Sequence, residues 1–235
     1  MIRILFVKII LISFAGGLLC LDRVFIQAMI SRPIIIASVV GIILGNPYTG
    51  LTIGAILELF WIDRVPIGIY IPPNDSVAAA FAASLAILAG QALGGVNHQL
   101  IALSVLIAIP FGIGVKKMDV KIVESNNVLS DQALQAAKSL DIRAIERKTY
   151  LGLAKVFLFY TAVLFILQII FIPILIWIYP KLPAAVSAVL SMAYYFLPLL
   201  GIAVALNTIK LRGAIPVFCA IFLIFAAVME LLHVF

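Results

Sequence analysis

The sequence predicts an all-α, polytopic membrane protein in which some helices are broken or re-entrant. Three observations carry that prediction. First, of 235 residues 65% are apolar and only 11% charged, against about 45–50% and about 25% in soluble domains; the mean hydropathy is +1.27. A soluble fold of this size could not hide so much apolar surface, whereas lipid solvates it from outside. Second, apolar runs recur from one end of the chain to the other. Third, the runs are unequal, and two are too short to cross a bilayer.

Taken in order, Ile4 to Leu21 nearly meets the about 20 residues that a full span needs. Arg3, Lys8 and the apolar run could be mistaken for a signal peptide, but no A-x-A site follows and further apolar segments come after it. Leu18-Leu19-Cys20 also places Leu where a lipoprotein site wants a small residue, so a retained helix is expected. Ile34 to Gly45 covers about 18 Å as a helix, little more than half of a hydrocarbon core about 30 Å thick. Asn46-Pro47-Tyr48-Thr49-Gly50 then breaks it, because Pro47 disfavours a helical Asn46 and the composition is that of a turn. Leu51 to Ile62 is a second short run. Two half-length helices around a polar turn predict a re-entrant hairpin, covered by protein or by a watery cavity, the device that builds midplane sites in transporters. Two short tilted spans joined at the surface are the alternative.

Val65 to Pro73, with Pro66, Gly68, Pro72 and Pro73, is irregular and leads into Asn74-Asp75-Ser76, an N-cap cluster. The helix Val77 to Leu93 is rich in Ala, with Gly90, Gly94 and Gly95, small residues that let membrane helices approach closely. Gln99 to Val115 is a further span containing Pro110. Lys116 to Lys148 is the one polar stretch. In it Ser130 precedes Ala133, Leu134, Ala137, Leu140 and Ile145 at roughly helical spacing, which predicts an amphipathic helix lying on the cytoplasmic surface and compatible with docking of a soluble partner. Leu153 to Tyr179, Ala184 to Leu206 and Ala214 to Phe235 are the remaining spans. Pro180 and Pro183 mark one turn between them; Asn207 to Gly213, with Lys210 and Arg212, marks another, cytoplasmic by charge bias. The chain reads as a single membrane domain, 1–235: N-terminal spans 1–115, an amphipathic connection 116–152, and C-terminal spans 153–235.

The net charge of +6 fits orientation in the membrane better than nucleic acid, since the basic residues form no continuous face and concentrate in one connection. Cys20 and Cys219 lie in apolar surroundings without metal or disulfide spacing, and read as packing residues. His98 and His233 have no metal-ligand partner at useful spacing. No H-E-x-x-H, G-x-S-x-G or P-loop appears, and no nucleophile–base pair, so neither catalytic residues nor a cofactor nor a metal is expected.

The polar residues inside apolar runs are the candidates for function. Glu58 stands in Gly54-Ala55-Ile56-Leu57-Glu58-Leu59-Phe60-Trp61, where a charge costs roughly 2.5–3.5 kcal/mol to insert. It is either a ligand contact or the ion-pair partner of Arg23, Arg32 or Arg64. Asp75 and Asn74 can accept hydrogen bonds from hydroxyls, and Asn74 can also donate, which suits a sugar; helix capping is the plainer role. Asp22, Gln27 and Arg32 cluster after the first span, either as an extension of a polyol site or as an interfacial ion pair. Tyr48, Trp61 and Tyr70 are candidates for stacking on a sugar ring or for an interfacial belt. Leu21-Asp22-Arg23-Val24 is echoed by Ile62-Asp63-Arg64-Val65.

These residues resemble the membrane component IIC of the mannose/fructose/sorbose class of bacterial phosphotransferase systems. The resemblance lies in Leu21-Asp22-Arg23-Val24; in Gln27 before Ser31-Arg32-Pro33; in Gly41 through Leu51 around Asn46-Pro47-Tyr48-Thr49-Gly50; in Gly54 through Leu59; and in Val65-Pro66-Ile67-Gly68 with Pro72-Pro73 and the acidic residue after it. Gly201 through Asn207, with Pro216 and Phe218, is also similar. The resemblance implies a multispanning helical protein of the bacterial inner membrane. It implies a hetero-oligomer with a second membrane subunit, IID, and soluble subunits IIA and IIB, passing a hexose-type sugar that receives phosphate from IIB. It implies sugar contacts at Glu58, Gln27 and the acidic position after Pro72-Pro73, here Asp75 or Asn74, with Asn207 as an addition. The chain departs from the family pattern where Asn74 intervenes before Asp75, where Ser31 replaces a His before Arg-Pro, and at Asp63-Arg64. An ion-coupled secondary transporter using Glu58 and Asp63 as proton carriers, and a transport-inactive regulatory scaffold, are the competing readings.

Overall fold

The computed structural model describes residues 2–64, 70–208 and, beyond them, 216, 217, 219–221, 223 and 224. Pro66 and Gly68, the turn containing Lys210 and Arg212, His233 and most of the expected last span lie outside the described residues.

Seven α-helices and no strand occur among the described residues: α1 (Ile2–Cys20), α2 (Pro33–Ile43), α3 (Pro47–Phe60), α4 (Asp75–Leu93), α5 (His98–Lys138), α6 (Ile142–Ile178) and α7 (Ala184–Thr208). Five of them, α1 and α4 to α7, are long and apolar enough to cross a membrane. Helix α4 is the centre of the bundle and touches α1, α2, α3, α5 and α6. Its alanines explain that position: Ala78, Ala79, Ala80, Ala82, Ala83, Ala86 and Ala89 are all fully buried, and a helix without long side chains can be surrounded at close range. Asn74 caps its start, accepting from the Val77 N–H at 2.9 Å, and Gly94 closes its end at φ +93°. The apolar faces of α6 and α7 point largely outward.

The expected hairpin is α2–α3. Its helices have 11 and 14 residues, about 17 and 21 Å long, and neither crosses a core of about 30 Å. Gly45 turns the chain at φ +77°, and Asn46 caps α3 by accepting from the Thr49 N–H at 3.3 Å. The helices run antiparallel with backbones in contact: a Cβ on Gly50 would collide with the Ala37 carbonyl and stand 2.9 Å from Gly41 Cα, and one on Gly54 would stand 2.8 Å from Ile34 Cα. One side of the tip is tied to the bundle. Gln91 of α4 donates to the Leu44 carbonyl at 2.7 Å and accepts from Lys8 at 2.7 Å. The N-terminal helix is anchored in the same bundle, since Gly17 lets α1 touch the backbone of Thr161 in α6.

The polar connection differs from expectation. It is not a separate helix on a surface. Helix α5 continues unbroken for 41 residues, about 61 Å, turns at Ser139–Asp141, and returns as α6. The reason is visible in the chain: no Gly or Pro interrupts 115–138, so Ser130 sits mid-helix and caps nothing. The antiparallel pair is tied by Lys148 to Gln132 at 2.5 Å and by Lys155 to the Ser125 carbonyl at 3.1 Å. At its tip the Leu140 N–H bonds to the Ala137 carbonyl at 3.1 Å and the Asp141 N–H to that of Ala136 at 3.0 Å, a helix-closing motif that favours glycine. Leu140 occupies that position at φ +56°. Leu140→Gly is expected to stabilise the protein by about 1 kcal/mol, read as a higher thermal midpoint in detergent.

Two further expectations meet the structure here. Cys20 is buried as predicted, but Cys219 is exposed. His98, exposed at the start of α5, stacks on Tyr194 with ring centroids 4.2 Å apart.

Candidate functional site

The segment Asp22–Arg32 between α1 and α2, residues 70–72 with the start of α4, and the midsections of α5 and α6 line a cavity of about 500 Å³. Its walls are polar where the helices end. After α1 a 3-10 turn, Leu21–Arg23, presents two opposite charges. Asp22 turns inward along the chain: its Oδ1 accepts from the Ala28 N–H at 2.8 Å, and its Oδ2 from the Ser31 N–H at 3.0 Å and hydroxyl at 3.1 Å. One carboxylate thereby shapes the whole loop before α2. That loop holds Gln27 at φ +56° and Met29 at φ +63°, conformations that cost non-glycine residues of order 1–3 kcal/mol and gather at functional sites. Both residues line the cavity.

Arg23 joins the end of α1 to the start of α4. Its Nη1 donates to Asp75 at 2.7 Å, and to Asn74 Oδ1 and the Ser76 hydroxyl at 3.3 Å each. Asn74 is fully buried and donates through Nδ2 to Asp119 Oδ2 at 2.8 Å. The Ser76 hydroxyl donates to the Ser31 carbonyl at 2.6 Å, fixing the loop to α4. Four polar residues from three segments therefore hold one another: Arg23, Asn74, Asp75 and Asp119.

Of the residues expected to bind substrate, Asp22, Gln27 and Asp75 share the cavity wall. Asn74 stands behind it as a cap and a tie. Glu58 is not among the lining residues; it pairs with Arg32, whose Nε lies 2.6 Å from Glu58 Oε1, and accepts from the Ile34 N–H at 3.3 Å. Arg32 lines the cavity in its place. Asn207 is exposed in the last turn of α7 and is not among the lining residues either. Of the three aromatic candidates only Tyr70 reaches the cavity; Trp61 is buried against Gly112, and Tyr48 is 75% exposed. The two echoed Asp-Arg pairs converge, because Arg23 and Arg64 both line the cavity, Arg64 also pairing with Asp63 at 3.2 Å.

Sequence reasoning missed Asp119 and Tyr160. Asp119 counts as one more charge in a polar stretch until its helix is extended through it. Then Gly112, Val115, Asp119 and Ile122 form one stripe at helical spacing, and a carboxylate on the apolar stripe is the signal. Tyr160 carries no signal of its own within an apolar run. No cluster of His, Cys, Asp and Glu able to hold a metal occurs among the described residues.

A family model described as the sorbose-specific IIC component of phosphotransferase systems matches residues 6–234. The chain belongs to this IIC family. The sorbose-specific IIC component of Lacticaseibacillus casei is 24% identical over 223 residues, which span 90% of this chain and 74% of the relative. That of Klebsiella pneumoniae is 30% identical over 115 residues, 49% of this chain and 40% of the relative. A solved structure of the mannose transporter ManYZ with microcin E492 shares the fold of this IIC chain, at a TM-score of 0.61 and 19% identity, over 99% of this chain and 95% of that one. The IIC chain is thus an all-helical, multi-pass protein of the bacterial inner membrane, of a kind that works with other phosphotransferase subunits.

Proposed function

We propose that this chain is the sugar-binding permease subunit of a phosphoenolpyruvate-dependent phosphotransferase system. A hexose-type sugar occupies the cavity of about 500 Å³, crosses the membrane with a IID partner, and is phosphorylated by soluble IIB, itself charged by IIA. The observation that carries this reading is where the cavity lies. Asp119 and Tyr160 line it near the root of the long α5–α6 hairpin, and the Lys and Arg residues of that hairpin support a cytoplasmic side for it, where the phosphoryl donor works. Phosphate is transferred to the sugar itself, so this subunit requires no catalytic residue.

The geometry supports a role for each residue. Gln27 and Asp75 offer an amide and a carboxylate to sugar hydroxyls. Asp22 shapes the loop that carries Gln27, Asn74 orients Arg23 and Asp119, and Glu58 acts through Arg32, which it holds at the cavity wall. Tyr70 supplies an aromatic face. Ion-coupled transport finds less support, because both proposed proton carriers, Glu58 and Asp63, already sit in ion pairs.

Two measurements test this. In the purified complex with IID, sugar is expected to raise the thermal midpoint, and Asp75→Asn and Glu58→Gln to weaken that effect by about ten-fold in apparent affinity, as expected for a lost charge-assisted hydrogen bond. Unchanged binding in both variants removes these residues from the site. Uptake is expected to require phosphoenolpyruvate and to survive collapse of the proton gradient; uptake that follows the gradient instead overturns the phosphotransferase reading.

A further inference from the structure

The Asp-Arg pair that the chain carries twice is used differently each time. Arg23 is mostly buried and spends its Nη1 on Asn74, Asp75 and Ser76. Arg64 has no such set. Its side chain is 51% exposed, and Asp63 meets it at Nε, 3.2 Å away. It also lies against the Tyr70 hydroxyl, and both residues line the cavity. The face of the Tyr70 ring carries a second cation, because Lys116 Nζ stands 4.8 Å from the ring centroid. Lys116 takes part in none of the ion pairs found among the described residues. Two cations therefore meet on one ring, and of the two only Arg64 pairs with a carboxylate there.

Backbone contacts bring them together. The Asn74 N–H donates to the Gly112 carbonyl at 2.8 Å, so the segment before α4 lies along α5. Tyr70, four residues before Asn74, then meets Lys116, four residues after Gly112; the segment runs antiparallel to the helix. Trp61 packs on the same glycine, where a Cβ would stand 3.1 Å from its ring. The Arg64 N–H closes the turn after α3 by donating to the Trp61 carbonyl at 2.9 Å. Gly112 thus seats both segments whose ends carry Arg64 and Tyr70. Like charges held together by the backbone repel unless an anion joins them. We propose that Arg64 and Lys116, converging on Tyr70 at the rim of the cavity, form a phosphate subsite that takes the phosphate group of a sugar phosphate monoester. The proposal rests on the cavity being the sugar site and deepens it. A neutral hexose gives these cations no charge to bind, whereas its phosphorylated product brings about −1.5 to −2. The guanidinium offers a planar fork to two phosphate oxygens, and the ammonium a point charge.

The test compares each sugar with its own phosphate ester. The complex with IID, in phosphatidylcholine nanodiscs, is titrated with D-mannose, D-fructose and L-sorbose and with their phosphate monoesters at the primary hydroxyls. For a sugar that binds, an ester is expected to bind more tightly and to weaken with salt, as a charge contact at an exposed rim does. Arg64→Gln and Lys116→Gln are each expected to lower the ratio of ester to sugar affinity by about ten-fold or more, the scale of one hydrogen bond to a charged group. Arg64→Lys is expected to keep only part of that ratio, because an ammonium lacks the fork. Inorganic phosphate, exchanged for chloride at constant ionic strength, is expected to raise the thermal midpoint of the natural complex and not that of Arg64→Gln/Lys116→Gln. An unchanged ratio in both single variants, or esters that bind no better than their sugars, overturns the phosphate subsite and leaves the sugar site standing. Phosphatidylglycerol in the nanodiscs separates the other source of phosphate. Variants that retain less of this lipid but keep the ester ratio would show that the two cations seat a lipid headgroup, which also overturns the inference. No binding of any of the three sugars or their esters by the natural complex overturns the site and this inference together.

Discussion

Gly50→Ala is expected to destabilise the protein by about 3 kcal/mol, the upper end of the usual cost of overpacking, and Gly50→Val to prevent assembly. A single methyl has this effect because of what it meets. A Cβ on Gly50 collides with the Ala37 carbonyl oxygen and approaches Gly41 Cα to 2.9 Å and Gly41 N to 3.1 Å. All are backbone atoms, so no side chain can rotate aside. The helices α2 and α3 must separate instead, opening the interface that buries Ile36, Val40 and Ile53. The separation reaches the cavity, because the outer end of the hairpin carries the Arg32–Glu58 pair and the Ile34 N–H that donates to Glu58. Gly114→Ala is the control. No atom lies within 4 Å of a Cβ built there, and alanine is the better helix former by about 1 kcal/mol, so it is expected to be neutral or stabilising. Equal thermal midpoints for Gly50→Ala and Gly114→Ala in detergent would show that the hairpin is not held by backbone contact.

The hairpin was legible in the chain because its signals are local. Run length against bilayer thickness, the Asn46-Pro47 break and the glycines state it without knowledge of any neighbour. Helix α4 was legible for the same reason: a cap at Asn74, glycines at its end, alanines between. The α5–α6 hairpin was misread because its polar half satisfies the rule for an amphipathic surface helix, while the fact that decides against it is the absence of a breaker between Val115 and Lys138. The site was legible only in part. Asp22, Gln27 and Asp75 lie beside turn signals and converge on the cavity. Glu58 drew notice for the cost of burying its charge, and that cost is met by Arg32 rather than by the cavity. Asp119 and Tyr160 become site residues only when α5 and α6 pack against each other, and that pairing spans more chain than any motif covers.

Arg23→Ala is expected to be more damaging than Asp75→Ala, although the two remove opposite ends of one ion pair. The pair lies 2.7 Å apart with side chains only 16% and 14% exposed. Breaking a buried pair from one side typically costs about 3–5 kcal/mol, and the partial exposure here sets the expectation at about 3. Arg23 serves three acceptors, on Asn74, Asp75 and Ser76. Its loss leaves the Asp75 carboxylate beside a buried Asn74–Asp119 contact with no cation between them. The loss of Asp75 is gentler, since Arg23 keeps its other two acceptors and its long side chain can carry the charge toward water in the cavity. In Arg23→Ala/Asp75→Ala the stranded charge is gone, so the double variant is expected to be more stable than Arg23→Ala alone, with a coupling of about 1–3 kcal/mol. The order of thermal midpoints should therefore run natural protein, Asp75→Ala, double variant, Arg23→Ala. Because the pair is shielded, that order should persist at high salt, where an exposed pair would be screened. A double variant no more stable than Arg23→Ala would mean that the two charges do not couple. The tie between α1 and α4 would then rest on Asn74 and Ser76, and the cavity wall would owe its shape to the helix cap rather than to the arginine.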